Sequence, residues 1–146
     1  MEIEKKSVDF ALQGINTEQF AIFEENYAPK KEIGLNTSLQ FKVDIQNKQI
    51  GVFLGFEFIH GKKIFLKIQV SCHFKIEKTA WKSFIQKDKL IVPASFLAHL
   101  SMITTGTTRG VLYAKTESTL FSKFIIPTIN VAEMIREDAT FEISSE

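Results

Sequence analysis

The chain has 146 residues, a formal net charge of +1 and a single cysteine, Cys72. That is enough chain for one domain (1–146) with its own core. The charge balance gives no reason to expect nucleic acid, and the lone thiol excludes an internal disulfide and a cysteine metal cluster. The first nine residues are charged and carry no apolar run, so no export leader is expected there. No stretch approaches the ~20 apolar residues of a membrane span. These features predict a cytoplasmic protein that does not insert in a membrane.

The elements follow in chain order. Residues 8–14 alternate, with Val8, Phe10 and Leu12 on one face. Asn16, Thr17 and Glu18 interrupt, and residues 20–24 resume with Phe20 and Ile22 in the same even register. An interruption that keeps its register predicts one bulged or bent strand. Residues 39–45 form a second strand through Leu39, Phe41, Val43 and Ile45, and 50–58 a third through Ile50, Val52, Leu54, Phe56 and Phe58. His60-Gly61-Lys62 marks a tight hairpin.

The fourth strand, 64–76, is the clearest element. Ile64, Leu66, Ile68, Val70, Cys72, Phe74 and Ile76 alternate without a miss, and strand side chains point to opposite faces with a period of two. One wholly apolar face belongs to an antiparallel sheet covered on that side. Phe53, Ile59 and Phe65 fall on the odd face, so that face reads as partly apolar and available to another subunit. Residues 77–88, with Trp81, Phe84 and Ile85, fit a short helix or a structured loop.

Phe96, Leu97, Leu100, Ile103, Thr107 and Val111 then take helical spacing over 93–115, with Pro93 suited to a first turn. Gly106 and Gly110 lie one turn apart inside this helix, each costing about 1 kcal/mol against alanine. Either they let a neighbouring backbone approach, or they kink the helix. Residues 116–126 connect, and Asn130 caps a final short helix at 131–136. The order predicts an α+β fold: a four-stranded antiparallel sheet followed by two helices, in two layers.

Several stretches carry a family likeness. The opening Phe10-Ala11-Leu12-Gln13-Gly14 strand runs on through Glu25 to Asn26-Tyr27-Ala28-Pro29. The main helix holds Leu100 and Thr107-Thr108-Arg109-Gly110, and Ile126-Pro127-Thr128-Ile129-Asn130-Val131 leads to the last helix. In element order and in these motifs the chain resembles the SecB-like export chaperones. The Thr-Thr-Arg-Gly form is similar to the divergent branch encoded with toxin–antitoxin pairs. The resemblance implies a homo-tetramer, a dimer of dimers, that holds unfolded polypeptide clients in hydrophobic grooves without nucleotide or other cofactor. It implies delivery of preproteins to the translocase motor SecA, with Glu18, Glu24 and Glu25 as the matching acidic contacts. The chain departs from the family's strongly acidic surface, since Lys67 and Lys75 stand on the odd register of the long strand.

Fourteen of the aromatics are Phe, against two Tyr and one Trp, and Phe brings area without hydrogen-bond specificity. The candidate client-binding side chains are Phe53, Phe56, Trp81, Phe84, Tyr113 and Phe121. Core packing is the competing reading for each, most strongly for Phe56. Arg109 is expected to anchor a subunit contact or a loop carbonyl. No catalytic constellation appears. His60, His73 and His99 are isolated, no strand–Gly-x-Ser-x-Gly–helix elbow exists, and no phosphate loop matches. The chain is therefore expected not to be an enzyme. The alternative to a general holdase is a dedicated partner of one client, such as an antitoxin.

Overall fold

The computed structural model describes residues 8–143. Most of the charged segment expected to hold no leader, and the last three residues of the tail, lie outside that range. Four strands come first: β1 (Phe10–Ile22), β2 (Gly34–Asp44), β3 (Gln49–His60) and β4 (Lys63–Ile76). They form one antiparallel sheet in the order β1-β4-β3-β2. Helix α1 (Lys78–Ser83), short strands β5 (Ile85–Gln86) and β6 (Lys89–Val92), and the long helix α2 (Ala94–Thr116) follow. The chain closes with 3-10 turns at Leu120–Lys123 and Val131–Met134 and with strand β7 (Ala139–Glu142). The fold is α+β, as the patterning predicts.

The alternation of β3 and β4 sets the core. Ile50, Val52, Leu54 and Phe56 of β3, with Ile68, Val70, Cys72 and Phe74 of β4, are fully buried. Helix α2 lies on this face and contributes Leu97, Leu100 and Leu112. It also buries Ser101, Thr104, Thr105, Thr108 and Thr116. These hydroxyls reach the carbonyl four residues back, as in Thr104 to Leu100 at 2.9 Å and Thr108 to Thr104 at 2.7 Å. A satisfied hydroxyl is cheap to bury, so a helix of small side chains can sit low on the sheet.

β1 carries two register shifts, at Leu12/Gly14 and at Thr17/Gln19. Each extra residue flips the strand's faces. Ile15 therefore points to the helix side opposite Cys72, and Phe20 returns to that side opposite Ile68. Two flips restore the even register, which is why the interruption looked silent in the sequence.

A third irregularity corrects a prediction. β3 and β4 shift register at Phe58/Ile59, leaving Phe65 unpaired. The bulge turns Phe65 off the outer face and buries it among Tyr27, Phe58, His60, Phe121 and Phe124. The outer face keeps Phe53 and Ile59 and gains Ile64, the cross-strand partner of Ile59, while the rest of it is largely polar, with pairs such as Lys67–Glu57 at 3.5 Å.

The predicted final helix at 131–136 is a single 3-10 turn, Val131–Met134, with Asn130 Oδ1 accepting from the amide of Ala132 at 3.1 Å. The structured segment after β4 contains a true helix, α1, capped by the Glu77 carboxylate accepting from the Thr79 amide at 2.7 Å. The small sheet β5-β6-β7 brings the chain end back onto β6, pairing Leu90 with Phe141. No described helix is long and apolar enough to cross a membrane.

Candidate functional site

Among the described residues β2 is hydrogen-bonded to β3 on one side only, and its other edge keeps unpaired main-chain groups. Its inner face presents Leu39 and Phe41, half-buried beyond the reach of α2's central turns. The strap from Met134 to Ala139 runs past these side chains. Together with Leu97 they enclose an open groove of about 450 Å³. Met134 and Ile135 make its far wall, and Arg136, Glu137 and Asp138 line it with both signs of charge.

Two anchors hold the segment that builds this wall. At its start, Arg109 on α2 donates from Nε to the Ile126 carbonyl at 2.7 Å and from a terminal nitrogen to the Pro127 carbonyl at 2.8 Å. This is the loop-carbonyl role expected of Arg109. At its end, the Asp138 carboxylate accepts from the Ala94 amide at 2.8 Å. Pro93 offers the first turn of α2 no side-chain cap, so an acid from the strap supplies it. A carboxylate is favoured there by the helix dipole as well.

The six candidate client contacts do not converge. Phe56 is completely buried beneath α2, Trp81 and Phe84 are core residues of the α1 region, and Phe121 closes the cluster around Phe65. These four cannot line an open surface of this protomer. Each meets other apolar rings or the sheet, and an unfunctionalised Phe is as content there as in a groove. Phe53 lies on the outer sheet face, edge-on to His73 and with the Lys42 ammonium 4.5 Å above its ring. Tyr113 is 47% exposed on the outer side of α2. None of the six lines the groove. The alternation of 39–45 could have pointed to Leu39 and Phe41. What it lacked was the strap, which arrives from about a hundred residues away.

The acidic residues also separate. Glu24 and Glu25 stand exposed in a 3-10 turn after β1. Glu18 occupies the second bulge of β1, where it accepts the Ser71 hydroxyl at 2.7 Å. Ser71 Oγ is also 2.9 Å from His73 Nε2. The carboxylate sits on the hydroxyl and not on the imidazole, and Ser71 is fully buried, so this trio fastens the second bulge of β1 to β4.

His60 is buried with Nδ1 at 2.9 Å from the Glu32 carbonyl and its ring stacked 4.5 Å from Phe65. Burial pushes the Cys72 thiol up, against partial relief from the hydroxyls of Thr104 and Thr107. Asp44 is held below the usual carboxylate range by the side chain and amide of Asn47. Among the described residues no group of three or more His, Cys, Asp or Glu could hold a metal ion.

No family model and no curated protein matches the chain. Among solved structures, it is similar to a protein of unknown function from Streptococcus agalactiae at 14% identity and a TM-score of 0.37, over 84% of this chain and 98% of that one.

Proposed function

We propose that this chain is an ATP-independent holdase of the SecB-like type, which binds non-native polypeptide segments, preproteins for export among them, in the cytoplasm. The observation that carries the reading is the groove beside the free edge of β2. An extended segment can add to that edge through main-chain hydrogen bonds, which carry no sequence preference. Its alternate side chains then meet Leu39, Phe41, Leu97 and Met134. Each buried aliphatic or aromatic side chain contributes about 1.5–3 kcal/mol. Charges of both signs on the strap tolerate clients of either charge. Binding of this kind needs no nucleotide and no reacting group.

The test is light scattering from a chemically denatured, reduced protein diluted into increasing amounts of this chain without nucleotide. Suppression is expected, and it should weaken in Met134→Glu and Leu39→Glu variants that keep the wild-type circular dichroism. A well-folded sample that suppresses nothing overturns the general holdase and leaves a dedicated partner, such as an antitoxin, as the better account.

A further inference from the structure

Three loops meet at one end of the large sheet, where β1 and β3 finish and β2 and β4 begin. They are the connection 23–33, the hairpin tip at Gly61 and the 3-10 turn Leu120–Lys123. The aromatic cluster ties them together. Tyr27 packs on His60, on Phe121 and on Phe124, and the Glu32 carbonyl lies 2.9 Å from His60 Nδ1. Glu32, Ile33, Ile59 and Gly61 line one open cleft. Buried rings thus fix the loops against one another, and what the loops expose is held as one surface.

That surface is basic. Lys30 and Lys31 stand just after Pro29, and Lys62 and Lys63 at the hairpin tip, all four exposed. The Lys123 ammonium is 5.5 Å above the Tyr27 ring, on the same cluster. Among the described residues none of these five lysines is in an ion pair. Glu32 is the acid between the two lysine pairs, and Glu24 and Glu25 flank them in the turn after β1. Five ammonium groups against three carboxylates leave this end positive. Large apolar side chains stand on the same loops: Phe23 is 39% exposed, Ile33 48% and Leu120 56%. One exposed leucine is ordinary, but three such side chains set among unpaired lysines make a patch with two chemistries.

We infer that this end of the sheet docks on an anionic lipid bilayer, with the protein lying on the surface and no element spanning it. The lysines meet lipid phosphates, at about fivefold in affinity for each lysine near the surface. Phe23, Ile33 and Leu120 pass between the headgroups to the acyl boundary. A polyanion in solution would satisfy the lysines and leave these side chains in water. A neutral apolar partner would cover the side chains and leave the lysines without counter-charge. Anionic headgroups over an apolar layer answer both, and that complementarity selects the bilayer as occupant.

The test is co-sedimentation of the full chain with vesicles, which hold no polypeptide, so the outcome is independent of the holdase reading. Vesicles of phosphatidylcholine alone are compared with an equal mixture of phosphatidylcholine and phosphatidylglycerol. Binding is expected to the mixture and not to phosphatidylcholine alone, and it should fall as salt is added. Lys62→Gln combined with Lys63→Gln should weaken it about thirtyfold. Ile33→Ser combined with Leu120→Ser should weaken it about tenfold or more. All four side chains are exposed, so both variants should keep the wild-type circular dichroism. Heparin serves as the polyanion without a bilayer. No binding to the mixed vesicles, equal binding to both kinds, retention on heparin alone, or a serine variant that binds like the wild type would overturn the inference.

Discussion

Removing the Arg109 guanidinium should be among the costlier changes outside the apolar core. Its two hydrogen bonds go to carbonyls in different surroundings: Ile126 is buried, while Pro127 is exposed. A hydrogen bond to a charged group is worth about 1.5–3 kcal/mol net, and a buried acceptor left without a donor bears its full desolvation cost. The Pro127 carbonyl can return to water and recovers most of its loss. Arg109→Ala should therefore cost about 2–4 kcal/mol, most of it at Ile126. For a chain of this size that lowers Tm by about 8 °C. Arg109→Lys keeps the charge but offers one compact ammonium in place of a fork, so it should recover about half. The assay is urea unfolding at fixed protomer concentration, followed by circular dichroism, with the slope unchanged and the midpoint shifted. An Arg109→Ala midpoint within about 0.5 kcal/mol of wild type would refute the reasoning. So would a lysine variant as stable as the native chain, because then the fork geometry carries nothing.

Three further outcomes are expected. Asp138→Ala should lose about 1 kcal/mol in the same urea assay through the uncapped Ala94 amide, whereas Asp138→Asn, which keeps an acceptor, should lose only a few tenths. The Cys72 thiol is pushed above its ordinary value of 9.0 by burial. The stability this neutral thiol contributes is whole below that value and is lost as pH climbs through the folded one. Iodoacetamide should accordingly label the native protein far more slowly than the urea-unfolded one at equal pH, and equal rates would show the thiol open to solvent. Phe65→Ala should cost about 3–5 kcal/mol, because the bulged ring is shared by Tyr27, Phe58, His60, Phe121 and Phe124. A loss near 1 kcal/mol would mean that the cluster can collapse around the gap.

The strands were legible because each alternates over its own length, a local property. The hairpin at Gly61, which takes φ +62°, was legible for the same reason. What periodicity misses is a residue that breaks it without leaving a gap. Phe65 counts as an outer-face residue in any strict alternation, and only the pairing of Ile59 with Ile64 shows it to be the odd one out. The small sheet escaped because β5 has two residues and β6 and β7 four each, too short for a pattern, and β7 pairs with β6 from about fifty positions away. The candidate site suffered most. Fourteen phenylalanines differ in burial and not in type, so nothing in the residue itself separates Phe121 in the core from Phe53 on the outer face.

Helix α2 is the element whose composition argues hardest against its own structure. Thr104, Thr105, Thr107, Thr108, Gly106 and Gly110 are poor helix formers crowded into seven positions, and each costs several tenths to about 1 kcal/mol relative to alanine. The inward half of that cost has an account. The buried threonines bond their own helix, and their short side chains let α2 settle on Cys72 and its neighbours, where burial of Leu97, Leu100 and Leu112 offsets the propensity. The outward half has none among the described residues, where a Cβ at either glycine would meet no atom within 4 Å. Alanine at both would strengthen the helix and clash with none of the described residues.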